Sequence, residues 1–198
     1  MQADKALDKE ALALLFTEAR SHHGFQSKPV SDDLLHRLYE TMKWGPTSVN
    51  SAPMRILFVK SDEAKEKLYP TLMGSNVEQV KSAPVTAIIA YDEKFYDQLP
   101  TLFPVMDVKP LFTSNAALSE STAFRNSSMQ GAYLMIAARA LGLDVGPLSG
   151  FDNAAVDKAF FEGTSWKSNF ICNIGYGEVA KLYPRGPRLE FDQVCKFA

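Results

Sequence analysis

Gly45-Pro46-Thr47-Ser48-Val49-Asn50-Ser51-Ala52-Pro53 is the stretch on which the reading of this chain turns. Prolines bracket it and short hydrogen-bonding side chains crowd it. Two readings are open. Ser, Thr and Asn satisfy their own backbone in turns, so the stretch can be a capped turn and nothing more. The same side chains can also present a platform of neutral donors and acceptors to a planar, polar-edged ring. Just upstream, Ser31 caps a helix whose first turn carries Asp32 and Asp33, where the helix dipole favours anions. Its buried stripe is Leu34, Leu35, Leu38, Tyr39 and Met42, and Gly45-Pro46 stops it. Downstream, residues 55–60 (Arg-Ile-Leu-Phe-Val-Lys) read as a strand. The stretch therefore joins a helix to a strand.

Working outward, Asp8 caps a first helix with apolar Ala11, Leu12, Leu14, Leu15 and Phe16, ended by Gly24. Ser61 caps a short helix carrying Leu68 and Tyr69. Residues 85–91 (Val-Thr-Ala-Ile-Ile-Ala-Tyr) are apolar almost throughout, which predicts a central strand. Residues 92–115 hold Pro100, Pro104 and Pro110 and many aromatics without clear periodicity, as expected of a substrate or lid loop. The longest helical pattern runs over 116–141 and is closed by Gly142. Its half from Met129 to Leu141 is apolar nearly all round, which fits a central core helix, a large subunit interface, or both. Asp152 caps a further helix with Val156, Phe160 and Phe161 inward, and residues 170–174 form a third strand. From Lys181 the chain carries Pro184 and Pro187 and then an extended segment, Leu189 to Phe197. Strands and helices alternate only loosely, so the fold class is α+β.

With 198 residues, 46% hydrophobic and 22% charged, the chain has the composition of one globular domain over 1–198. Its 13 Phe, 7 Tyr and 2 Trp speak against disorder. A net charge of −2 lacks the basic excess of a nucleic-acid or membrane-surface protein. Two cysteines, Cys172 and Cys195, point to a reducing compartment. Met1-Gln2-Ala3-Asp4-Lys5 has neither the basic nor the apolar region of a signal peptide, and no apolar run nears the ~20 residues of a membrane span. The expectation is a soluble, cytoplasmic protein.

Walker A, His-Glu-x-x-His and Gly-x-Ser-x-Gly patterns are missing. Gly175-Tyr176-Gly177-Glu178-Val179-Ala180 matches a dinucleotide-binding pattern, but Pro184 and Pro187 leave no room for the helix that motif needs, so it reads as a turn. Adjacent His22 and His23 do not share a helix face and have no acidic or cysteine companions in sequence, so no metal site is expected. Two basic patches, Arg20 to His23 and Arg185 to Arg188, are solvated charges taken singly. Together they could clamp a phosphate, because guanidinium gives bidentate charge-assisted bonds.

At this point the sequence resembles the nitroreductase superfamily of FMN-dependent oxidoreductases along nearly its whole length. The matching elements stand in order: Arg20, Ser21 and Phe25; Pro46 to Asn50 with Pro53; the helix end Ala140-Leu141-Gly142-Leu143; Pro147-Leu148-Ser149-Gly150-Phe151-Asp152; and Arg185 to Pro187. Met42 to Ser48, Thr122 to Gln130 and Leu148 to Asp152 look most like the malonic semialdehyde reductase of uracil catabolism and its 3-hydroxypropionate dehydrogenase-like relatives.

The resemblance implies a mixed, largely antiparallel sheet flanked by helices. It also implies a homodimer with FMN at the interface and a C-terminal arm (181–198) adding a strand to the partner. Arg20, Ser21, His23 and Arg185 would hold the FMN phosphate. Pro46, Thr47, Ser48 and Asn50 would line one edge of the isoalloxazine, and Asn76 would reach its pyrimidine end. Pro147, Leu148, Ser149 and Gly150 would also contact the cofactor, with the Ser149 and Gly150 N–H groups near N5 and O4. The pattern departs at Ala19 and His23, where basic residues are usual; a histidine is only partly charged near neutral pH. The implied reaction is ping-pong: NADH or NADPH reduces the flavin, and a small organic acceptor, malonic semialdehyde foremost, takes the hydride. No catalytic side chain is required, since the flavin carries the chemistry. Arg125, Lys109 and Arg55 are candidates for gripping a substrate carboxylate. The alternatives are a broad nitro or quinone reductase, or a flavin-binding module without turnover.

Overall fold

Val85–Asp92 (β2) lies in the middle of the sheet, and every residue of it but Tyr91 is buried, as its apolar run requires. In the computed structural model, which describes residues 6–198, it is flanked by Met54–Val59 (β1) and Trp166–Gly175 (β4), with Asp144–Leu148 (β3) at the far edge. Every ladder is antiparallel, so the sheet is not mixed. A parallel pairing occurs as the isolated bridge between Ser21 and Val145. β3 escapes sequence reading because Gly146 and Pro147 break the strand pattern; at an edge, proline's missing N–H costs no ladder bond that a neighbour needs. β4 begins four residues before the apolar run that predicts it.

Helices cover both faces. Asp32–Met42 (α2), capped by Ser31, and Ala116–Ala140 (α7), capped by Asn115, pack on one face. Leu35, Leu38 and Met42 meet Leu134, Ala137, Ala138 and the sheet residues Val85, Ala87 and Ile89 there. Asp62–Leu68 (α3) and Asn153–Phe160 (α8) cover the other face, packing Leu68 and Val156 over Ile88, Ile171 and Leu148. The core reading of α7 thus holds for one face only. Phe124, Met129 and Tyr133, which flank that face, are 51%, 41% and 42% exposed.

Residues 92–115 are not an irregular loop. They form a turn of 3-10 helix (Phe95–Gln98) and two short helices, Leu99–Leu102 (α5) and Lys109–Thr113 (α6). Phe95, Leu99 and Phe112 pack on Ala123 of α7 as a small separate core. Elements of four or five residues are too short to show a 3.6 period, and Pro100 and Pro110 stand in first turns, where no N–H is needed. Asn76–Ser82 (α4) is another short helix that the sequence pattern does not reveal. The first helix is Lys9–Leu12 (α1), continued by a π-helical turn to Thr17, well before Gly24. In the C-terminal arm, one helical turn, Phe191–Val194 (α9), replaces part of the expected extended segment. No helix of the described residues is long and apolar enough to cross a membrane.

Candidate functional site

The two basic patches meet. Arg20 donates through Nη2 to the Tyr183 carbonyl, and Arg185 donates through Nη2 to the Ala19 carbonyl at 3.1 Å. Each guanidinium therefore ties the other's segment, and a pocket of about 600 Å³ opens where the segments cross. Arg20, Ser21, His23, Arg185 and Arg188 line it, and none of its lining residues is a carboxylate. Ser21 is held there by its bridge to Val145 of β3, and the neighbouring His22 N–H donates to the Val145 carbonyl at 2.9 Å. Clustered guanidiniums with carbonyls but no counterion among their partners suit a phosphate, which would satisfy both their charge and their remaining donors.

His23 sits on the wall of this pocket, edge-on to the Tyr183 ring with 4.9 Å between centroids. From it a line of amides runs to the second predicted motif. His23 Nδ1 lies 3.3 Å from Gln79 Oε1, Gln79 Nε2 donates to Asn76 Oδ1 at 3.1 Å, and Asn76 Nδ2 donates to the Gly150 carbonyl at 2.8 Å. The Met73 N–H donates to that carbonyl as well, at 2.9 Å. With every oxygen in the line accepting, His23 Nδ1 is the donor to Gln79 Oε1. A Cβ on Gly150 would stand 2.5 Å from Asn76 Nδ2, so any larger residue there would displace the Asn76 amide from its place in the line. Ser149 is exposed, Pro147 is exposed on β3, and the Leu148 side chain belongs to the core, which leaves only its backbone for a ligand.

Pro46, Thr47, Ser48 and Asn50 form a separate group. Thr47 Oγ1 accepts from the Ala52 N–H at 3.1 Å, so this hydroxyl does cap its own turn. The Ser48 N–H donates to Asn126 Oδ1 on α7 at 2.8 Å, and Asn50 Nδ2 donates to the Leu102 carbonyl of α5 at 2.8 Å. Val49, Asn50 and Ala52 have φ values of 48°, 50° and 37°, left-handed conformations that non-glycine residues adopt at a cost. Val49 packs on the Phe95–Leu99–Phe112 core, which holds this strained turn in place. Among the described residues, no hydrogen bond joins this group to the Arg20–Arg185 pocket or to the Asn76–Gly150 line.

Glycine 177 of the dinucleotide-like pattern has a packing role. A Cβ there would lie 1.9 Å from His22 Nδ1, and only a three-residue 3-10 turn, Val179–Lys181, follows. His22 is buried, its Nε2 is 3.4 Å from Asp144 Oδ1, and its Nδ1 has no partner. Burial pushes its pKa below the ordinary histidine value, nearby Arg20 and His23 push the same way, and Asp144 opposes them. No group of three His, Cys, Asp or Glu side chains among the described residues could hold a metal ion. Of the three candidate carboxylate anchors, Arg55 is paired with Asp92 at 2.8 Å and Lys109 with Asp97 at 2.7 Å. Arg125 stands exposed on α7.

Sequence reading missed Gln79 and Tyr183. Gln79 lies one helical turn from Asn76, a spacing that signals a shared face only once α4 is known to be a helix. Tyr183 contributes a carbonyl and a ring face, and neither leaves a motif.

An antiparallel sheet thus lies between helical layers, with a cationic pocket where residues 16–23 meet residues 183–188. The model of the nitroreductase family matches residues 17–176. Among solved structures, a Bacillus subtilis protein described as a candidate nitroreductase superposes with a TM-score of 0.84 at 20% identity, covering 96% of this chain and 100% of its own. A candidate nitroreductase from Exiguobacterium sibiricum in complex with FMN gives 0.83 at 23% identity, covering 98% of both chains. A candidate NAD(P)H:FMN oxidoreductase from Staphylococcus epidermidis gives 0.83 at 21%, again covering 98% of both. The chain belongs to the nitroreductase family, and its activity class is that of a flavin-dependent oxidoreductase.

Proposed function

We propose that this protein is an FMN-dependent NAD(P)H oxidoreductase that acts as a homodimer and reduces a small organic acceptor. The observation that carries the reading is the carboxylate-free pocket in which Arg20 and Arg185 meet beside Ser21 and His23. These four residues bind the FMN phosphate. The line from His23 through Gln79 and Asn76 fixes the amide directions at the ring's pyrimidine end. The tight Asn76–Gly150 contact presents the backbone of the Ser149–Gly150 turn to the ring. Bound FMN supplies the hydride chemistry between NADH or NADPH and the acceptor. The protein's part is to orient, to exclude water and to set the electrostatics.

Within one chain, the Pro46–Asn50 group neither lines the phosphate pocket nor is hydrogen-bonded to it among the described residues, which supports a site completed by a second copy. The exposed side chains Phe124, Met129 and Tyr133 of α7 are surface that such a copy would cover. The arm fits the same arrangement. Among the described residues no strand pairs with the outer edge of β1, beside an apolar groove of about 800 Å³ lined by Leu35, Tyr39, Ile56 and Phe58 among others. Leu189, Phe191, Val194 and Phe197 of the arm are exposed in one chain and would fill that groove on the partner. The two free thiols suit the reducing cytoplasm.

Malonic semialdehyde is the acceptor to test first, with Arg125 as the cation left for its carboxylate. Its aldehyde carbon would take the hydride and its oxygen a proton, giving 3-hydroxypropionate. A second reading, a nitro or quinone reductase, draws support from the cavity of about 380 Å³, whose lining is apolar (Leu99, Pro100, Phe103, Pro104, Met106 and Val108) apart from Asp107 and Lys109. Stopped-flow reoxidation of the NAD(P)H-reduced protein by malonic semialdehyde, nitroaromatics and quinones separates them. A protein that binds FMN but is not reduced by NADH or NADPH would be a flavin-binding module instead.

A further inference from the structure

Arg139 lies in the last turn of α7 and lines the same pocket as Arg20, His23, Arg185 and Arg188. It is half-buried, and its Nη1 donates to the Leu15 carbonyl at 3.0 Å. Its Nε–H is buried without a partner, and it makes no ion pair among the described residues. Burial pushes its pKa below the ordinary arginine value, so its charge is held at a cost. The groups that oppose this do not neutralise it. Cys172, pushed up to about 12 by burial, is an uncharged thiol at neutral pH. Asp144 is already engaged, its Oδ2 accepting from the Gly177 N–H at 2.8 Å and its Oδ1 facing His22.

A partly buried guanidinium with a stranded N–H costs stability unless a charged acceptor meets it. The other arginines of the pocket do not provide one. Arg20, Arg185 and Arg188 donate to carbonyls and add like charge. Helix geometry gives half an answer: a cation at a helix C-terminus is favoured by the dipole. That accounts for the charge at this end of α7 but leaves Nε–H unpaired.

We propose that Arg139 is a further phosphate-binding residue of this pocket, with Nε–H as the donor that the anion satisfies. The inference rests on the flavin reading for the source of the phosphate, the phosphomonoester of FMN. The chemistry recognised is shared with free inorganic phosphate, so the test carries both.

The wild-type protein is titrated with FMN, riboflavin and inorganic phosphate while its arginine Nε–H resonances are followed by NMR. The Arg139 signal is assigned by its loss in Arg139→Lys. FMN and inorganic phosphate are expected to move that resonance downfield, and riboflavin to leave it in place. In Arg139→Gln, FMN binding should weaken about ten- to a hundredfold while riboflavin binding stays unchanged, and Arg139→Lys should recover part of the loss. Should Arg139→Gln fail to fold, the wild-type resonance still decides. A protein that binds FMN with the Arg139 Nε–H unmoved, or a variant that loses FMN and riboflavin equally, overturns the inference and makes Arg139 a helix-end residue only. A protein that binds neither flavin, yet shows the shift with inorganic phosphate, overturns the flavin reading and keeps the anion site.

Discussion

Arg20 and Arg185 hold each other's backbone: Arg20 donates to the carbonyl of Tyr183, and Arg185 to that of Ala19 at 3.1 Å. The pocket between them is therefore assembled by the same side chains that serve it. Either substitution loosens one tie and removes one charge together.

Arg185→Ala should weaken FMN binding about ten- to a hundredfold and leave riboflavin binding nearly unchanged, because the lost bonds are charge-assisted and riboflavin has no phosphate. Adding Arg20→Ala should cost less than the sum of the two single losses, since both act on one anion and one crossing. Fluorescence titrations with both flavins check this. Equal loss of both flavins would move Arg185 out of the phosphate site.

Gln79→Leu tests the amide line. Leucine cannot donate to Asn76 or accept from His23, so the Asn76 amide loses one fixed neighbour. FMN and riboflavin should weaken alike, by about two- to tenfold, the scale of one neutral hydrogen bond. Selective loss of FMN would instead assign Gln79 to the phosphate end.

His22 gives the fold a pH dependence with a defined sign. Its folded pKa is lowered, so the unfolded chain holds more protons between that lowered value and about 6.5. Stability from this group is complete above about pH 6.5 and is lost as the pH falls toward the folded pKa. The urea midpoint should drop between pH 7 and 5.5, and His22→Gln should flatten part of that drop. An unchanged slope in the variant would assign the acid sensitivity to carboxylates.

Met129→Asp probes the α7 face without touching the core. Leu134, an apparent choice from the apolar helix pattern, is fully buried against α2 and the sheet, so a charge there would unfold the chain rather than split a dimer. With Met129→Asp, sedimentation equilibrium should show a folded monomer with lowered flavin occupancy. A variant that stays dimeric and fully flavinated would place the interface elsewhere.

The sequence by itself determined the elements whose signals are local. β2 follows from the apolar run over residues 85–91, α2 from Ser31 and a 3.6-period stripe, and α7 from the helical pattern over residues 116–141. The ordered motifs from Arg20 to Arg185 were enough to place the chain in its family, because each is a short stretch of fixed residue types. Only the tertiary structure decided what those residues do to one another. β3 is a strand because its edge position tolerates Pro147, and residues 92–115 fold because Phe95, Leu99 and Phe112 find Ala123. Gly177 is glycine because His22, from the other end of the chain, occupies the space of its Cβ. Arg20 meets Arg185 and the amide line reaches Gly150 through contacts between segments far apart in sequence. No period or spacing encodes such contacts, because they depend on how the sheet brings distant segments together.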